Sequence, residues 1–278
     1  MQPGNLKNRN RDLLREMLQR PEEQICLAEG ALLIAANEYP DLDPAKYLDR
    51  LDIMARNVGP GGGADPLETI ARINHYLYEE EGFSGNSEDY YDPRNSFLNE
   101  VLDRKTGIPI TLSTIYLEIA NRLKLPLVGV GLPGHFLVKN RYFGILIDPF
   151  SKGRIVTESD CREQMQKLMG ESVPFHRMYL EGVSKRHIIS RMLNNLRTVY
   201  INSCQFYKAL AISDMAVTVQ PDSPYELKQR AALLIHLHRH SDALKDLNRY
   251  LELEPEAEDA KDISKIVLDL RKTLAQLN

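Results

Sequence analysis

Residues 107–150 read GIPITLSTIYLEIANRLKLPLVGVGLPGHFLVKNRYFGILIDPF, and this stretch decides the fold. Leu112, Ile115, Tyr116, Ile119, Ala120 and Leu123 recur at helical spacing, predicting an amphipathic helix from about Pro109 to Leu123 with an apolar stripe toward a core. Pro109 suits the first turn, because the amide it lacks would have no partner there. Val128–Leu132, Phe136–Val138 and Gly144–Ile147 then read as short β segments separated by turns. A helical layer against a small sheet follows. One strand carries His135 and the next ends at Asp148, so an imidazole and a carboxylate are expected to meet above the helix start.

That geometry is suited to acyl transfer when a thiol stands at the helix start. Free amides and the helix dipole stabilise the thiolate, the imidazole takes its proton, and the acid fixes the imidazole tautomer. Here the helix opens with Ile108, Pro109 and Ile110. The order Leu123-Lys124-Leu125-Pro126, Gly134-His135-Phe136, Ile147-Asp148-Pro149 resembles transglutaminase-like domains, which are cysteine-protease-like; their nucleophile position falls at or beside Pro109. More narrowly, Asn95-Ser96-Phe97-Leu98, Gly107-Ile108-Pro109-Ile110, Pro133-Gly134-His135-Phe136 and Asp148-Pro149-Phe150 resemble bacterial transglutaminase-like proteins with a tetratricopeptide tail, often labelled SirB-type. The resemblance implies an α+β chain. A transglutaminase-like domain with a small antiparallel sheet and a helical N-terminal part is expected over residues 1–182. All-α tetratricopeptide repeats are expected over 183–278.

Composition narrows the functional classes. The 278 residues carry a net charge of −4 and a pI near 6.0, with no basic footprint for direct nucleic-acid binding. Cys26, Cys161 and Cys204 are too few and scattered for a disulfide framework or a metal site, so a reducing cytoplasm is the expected setting. The polar start MQPGNLKNRNRDLLREMLQR has no apolar leader core, and no stretch has the length of a membrane span. Neither cofactor nor metal is implied.

Residues 22–37 carry Ile25, Ala28, Leu32 and Ala35 at helical spacing, and Asp43–Val58 and Asp65–Tyr78 read as further helices. The Gly59–Gly63 run lacks a following Gly-Lys-Ser/Thr and reads as a turn rather than a phosphate loop. Residues 83–93 read as a loop leading into a helical turn over 95–102. Beyond Ser184, aligning Leu193, Tyr200, Cys204, Ala209 and Pro221 with Leu227, Leu234, His238, Ala243 and Pro255 gives a constant shift of 34 residues, the tetratricopeptide period. Two repeats and a capping helix over 257–277 follow, and so short an array is expected to pack on the first domain.

His135 is the strongest site candidate, aimed by the preceding Pro133-Gly134 turn. Asp148 either holds the tautomer of His135 or caps the turn at Pro149. Ser113, like Thr111, lies early in the helix and is a conceivable substitute nucleophile. Asn95, Asn99, Pro109, Tyr116 and Phe136 are expected to line the same groove. Cys161 falls in the first turn of a helix capped by Thr157 or Ser159, whereas Cys26 and Cys204 read as packing residues on amphipathic helices. His236, His238 and His240 alternate, but on a helix such residues diverge, and they read as solvated. The favoured function is a non-catalytic cytoplasmic adaptor that binds a protein or peptide. The alternative is a hydrolase or amidase using Ser113 or Cys161 with His135 and Asp148. Nothing in the sequence fixes an oligomeric state.

Overall fold

A computed structural model describes residues 3–60, 65–170 and 172–277. Contacts divide the chain into two compact units, residues 1–192 and 193–278. The sequence reading puts the boundary at 182/183. Here the following helix buries Ile188, Ile189 and Met192, and the first unit extends through them.

The first unit opens with helices α1 (Pro3–Gln19), α2 (Leu27–Ala35), α3 (Pro44–Val58) and α4 (Pro66–Asn74). Asp43 and Asp65 cap α3 and α4, each followed by proline in the first turn. The helix expected over 22–37 is interrupted. A 3₁₀ turn spans Glu22–Gln24, and Cys26 is extended at the N-cap of α2, where its sulfur accepts from the Glu29 amide. The Glu118 carboxylate, 90 residues away, accepts the Ala28 amide at 3.2 Å, meeting one of the donors that the start of α2 leaves without an intrahelical partner. Gly59 ends α3 at φ +100, while Gly61–Gly63 of the expected turn lie outside the described residues.

A π-helical segment at His75–Glu80 follows α4. Strand β1 (Ser84–Gly85) then pairs in parallel with β2 (Thr106–Gly107), on either side of α5 (Leu98–Arg104). Next comes α6 (Pro109–Arg122), close to the expected span. Its expected stripe is corrected: every residue from Pro109 to Ala120 is buried, because α2, α3, β3 (Leu127–Val130), β4 (Leu137–Asn140) and the Pro149–Ser151 turn all pack on it.

Strands β5 (Leu146–Asp148) and β6 (Arg154–Val156), helix α7 (Glu158–Met169) and strand β7 (Gly182–Val183) complete the sheet region. The sheet order is β6-β5-β4-β3-β7, antiparallel throughout. Asn140 shapes the β4–β5 hairpin by accepting the amides of Tyr142 and Phe143, and Gly144 takes φ +67 to close it. Val130, Leu132, Leu137, Leu146 and Val156 form one apolar cluster with Cys161 of α7.

Helix α8 (Lys185–Asn202) carries the chain into the second unit, where α9 (Phe206–Val219), α10 (Pro224–His236), α11 (His240–Leu253) and α12 (Ala260–Leu277) follow. The 34-residue repeat of the sequence recurs in the backbone. Cys204 and His238, 34 residues apart, both adopt left-handed conformations at φ 57 and 58. The following amides, of Gln205 and Arg239, both return to the Tyr200 and Leu234 carbonyls at 2.8 Å. Ala209 and Ala243 are wholly buried where the paired helices approach. Cys204 corrects its reading, being exposed in a turn rather than packed on a helix face. Between repeats, Arg197 is buried against the Glu226 carboxylate and also donates to Asn194 at 2.8 Å.

Removing one partner from such a pair leaves a buried charge unanswered, which costs about 3–5 kcal/mol. Glu226→Gln is therefore expected to lower the stability of the second unit by about that amount, read from urea unfolding. A change under about 1 kcal/mol would show that the pair carries little.

Candidate functional site

Gly134 adopts φ +73, and the turn it closes, with the His135 amide donating to the Leu132 carbonyl at 3.0 Å, presents His135 just ahead of β4. Asp148 ends β5. The two side chains meet, with Nε2 of His135 3.0 Å from Oδ1 of Asp148, and both are buried at 5% and 2% exposure. The imidazole N–H is not aligned on the oxygen, so the contact is electrostatic rather than a well-formed hydrogen bond.

Asp148 caps the turn at Pro149. Its Oδ1 also accepts the Phe150 and Ser151 amides at 3.0 and 3.3 Å, and its Oδ2 accepts the Ser151 hydroxyl at 2.8 Å. Burial pushes the Asp148 pKa up, but His135 and the Ser151 hydroxyl and amide outweigh it and hold the carboxyl below its ordinary value. The turn is fixed from outside the sheet as well. The Tyr78 hydroxyl donates to the Pro149 carbonyl at 3.0 Å, and Asn74 donates to the Gly153 carbonyl at 2.9 Å. Gly153 is required there, because a Cβ would stand 2.0 Å from the Asn74 side-chain oxygen and the backbone is left-handed at φ +70. Sequence reading missed Asn74, Tyr78, Ser151 and Gly153. Only the Asp-Pro turn hinted at them.

The expected groove residues are interior. Asn95 is fully buried, donating to the Asp89 carbonyl at 2.7 Å and accepting from Asn86, so it pins the 83–93 loop instead of facing a ligand. Tyr116 is fully buried and donates to Asn74 at 2.9 Å. Asn99, Pro109 and Phe136 are buried too. At the helix start, Thr111 accepts the Ile108 amide and donates to the Asn95 carbonyl at 2.8 Å, completing the end of α6 with no reactive group. A cavity of about 270 Å³ lies elsewhere in the unit, among Leu27, Leu117, Asn121, Val128, Lys185 and Ile188.

No candidate nucleophile is joined to His135. The Ser113 hydroxyl is buried and reaches the Phe136 carbonyl at 3.4 Å. Thr157 caps α7 as expected, but Cys161 points into the apolar cluster, and burial with the nearby Asp160 and Asp148 charges pushes its thiol up to about 11. Cys26 lies beside Glu118 at 3.7 Å, and burial followed by that charge likewise pushes it up to about 11. His236 stacks on Phe206, His238 meets His240 edge-on, and among the described residues no group of three His, Cys, Asp or Glu is placed to hold a metal.

Residues 45–194 match the model of the Transglutaminase-like superfamily, and residues 196–267 match that of the Tetratricopeptide repeat. A UPF0162 protein of Xylella fastidiosa is 37% identical over 261 residues, 90% of this chain and 91% of its own. A UPF0162 protein of Pseudomonas aeruginosa is 32% identical over 234 residues, 84% of this chain and 86% of its own. F-box only protein 21 of Mus musculus is 33% identical over 183 residues, 61% of this chain but 28% of its own. No solved structure matches.

Because the folded-state pKa of Asp148 lies below the unfolded value of about 3.9, its stabilisation is present above about pH 4 and lost as pH falls through the folded value. Asp148→Asn is expected to cost about 1–3 kcal/mol at pH 7 and to flatten the loss of stability below pH 4, measured by urea unfolding across pH. An unchanged acid limb would remove Asp148 as its source.

Proposed function

We propose that this chain, which belongs to the transglutaminase-like superfamily and is grouped by similarity with the UPF0162 proteins, is a non-catalytic adaptor that binds a protein or peptide. The observation that carries the reading is the start of α6, where Ile108, Pro109 and Ile110 are buried and none carries an attacking atom, in a chain that keeps the His135–Asp148 contact. An imidazole and carboxylate move protons usefully only when an attacking atom is within hydrogen-bond reach, and Pro109 supplies none. The hydroxyl of Ser113 is committed to a backbone carbonyl, and the thiol of Cys161 is held protonated among apolar side chains.

The second unit supports the same reading, since tetratricopeptide repeats generally mediate protein–protein interaction. Similarity to a 28% portion of F-box only protein 21 fits a unit that serves as a module within longer chains. Among the described residues no helix is long and apolar enough to cross a membrane, which fits a partner met in solution; a cytoplasmic setting is part of the proposal.

The test is turnover. Glutamine-containing peptides with an amine donor, and peptide amide and ester substrates, are expected to show no reaction above buffer with the wild-type chain. Turnover abolished in His135→Ala together with Ser113→Ala or Cys161→Ala would establish the hydrolase instead. An aromatic disulfide reagent at pH 8 is expected to modify Cys204 rapidly. Cys161, which is buried, and Cys26, which is half-buried, should react far more slowly than Cys204 until the chain unfolds, since a thiol at about 11 is about one part in a thousand thiolate there.

A further inference from the structure

Arg191, on the second turn of α8, lies against the His135 turn. Its Nη2 donates to the Leu132 and His135 carbonyls at 3.2 and 3.0 Å, and its guanidinium stands 5.2 Å from the centre of the Phe136 ring. Arg122, Arg197 and Arg230 each meet a carboxylate, but among the described residues none pairs with Arg191. Burial pulls its pKa down, opposed only by the Tyr90 phenol. A guanidinium has five N–H donors in a planar fork; Nη2 meets two carbonyls and Nη1 lies over Gly131, and among the described residues the remaining N–H groups meet no acceptor. A half-buried cation without a counter-charge is an incomplete arrangement.

The surroundings say what completes it. From His135, rings run edge to face through Phe150 at 5.9 Å and Tyr90 at 6.4 Å to Tyr91 at 5.4 Å, and Tyr91 is 66% exposed. On the other flank Leu168 covers Gly134, whose Cβ position is 3.1 Å from Leu168 Cδ1, and it is 57% exposed. A free phosphate would use the cation and ignore these apolar side chains. A nucleic acid would need several cations, and the chain is acidic overall. A polypeptide uses both, and arginine and tyrosine are, with tryptophan, the residue types enriched at the energetic centres of protein interfaces.

We propose that Arg191 anchors an aspartate or glutamate side chain of a partner peptide that lies across Tyr91 and Leu168. The proposal rests on the binding reading above and gives it a ligand chemistry. A carboxylate meets the open fork through paired N–H···O contacts, while apolar residues flanking the acid cover the ring and the leucine.

The experiment selects random dodecapeptides displayed on phage against the immobilised full-length chain, then measures synthetic peptides by fluorescence anisotropy. Selected sequences are expected to be enriched in Asp or Glu flanked by apolar residues. Their Kd should rise about tenfold or more in Arg191→Gln, by less in Arg191→Lys, and not at all in Arg141→Gln. Leu168→Asp, on the surface, should also weaken them about tenfold by placing a like charge beside the acid. This variant decides the matter should Arg191→Gln fail to fold, which circular dichroism will show. The proposal is overturned by the absence of acidic enrichment, by no enrichment at all, or by affinities unchanged in both Arg191→Gln and Leu168→Asp. Cleavage of the selected peptides would overturn the binding reading itself, whereas binding indifferent to Arg191 would overturn only the anchor.

Discussion

The first unit is organised by the burial of α6 from Pro109 to Ala120. A helix buried on all sides has no solvent to satisfy its polar side chains, so each one must find a partner in the neighbouring layers. Thr111 finds Asn95, Tyr116 finds Asn74, and Glu118 finds the amide of Ala28 and the guanidinium of Arg122. The Glu118–Arg122 bond stays within α6, and the other three each fix a different element: the loop before α5, the end of α4, and the start of α2. The polar groups of one helix thus set the register of the layers around it, while its apolar groups supply the driving force.

The His135–Asp148 pair belongs to the same logic. Asp148 caps the turn that Tyr78 and Asn74 hold, so the carboxylate stabilises local structure whether or not any proton is ever transferred. Such a pair can persist for that reason alone. Its presence therefore supports family membership more directly than it supports chemistry, and the identity of the residue at the helix start is the more telling observation.

What was legible in the sequence was what local signals encode. Pro109 marked the helix start, Gly134 and Asp148-Pro149 marked the turns that bring imidazole and carboxylate together, and a period of 34 marked the repeats, though not the left-handed turn at Cys204. What was not legible depends on partners distant along the chain. Tyr116 and Asn74 are 42 residues apart, Asn74 and Gly153 are 79, Cys26 and Glu118 are 92, and Arg191 and His135 are 56. The supposed groove residues failed for a related reason. Asn95 and Tyr116 are polar enough to suggest a surface, and only the tertiary fold reveals that each is hydrogen-bonded in the interior. The short strands β1, β2, β6 and β7 escaped because two or three residues define no alternation; pairing alone makes them strands.

The brevity of the outer strands has a consequence for the behaviour of the molecule in crowded solution. At one border of the sheet β7 offers two residues, and at the other β6 offers three, opening with a charged Arg154. A foreign strand seeking to extend the ladder would find too few free backbone groups to hold it. The sheet is thereby protected against growth into fibrils without needing a helix or a closed barrel to seal its ends.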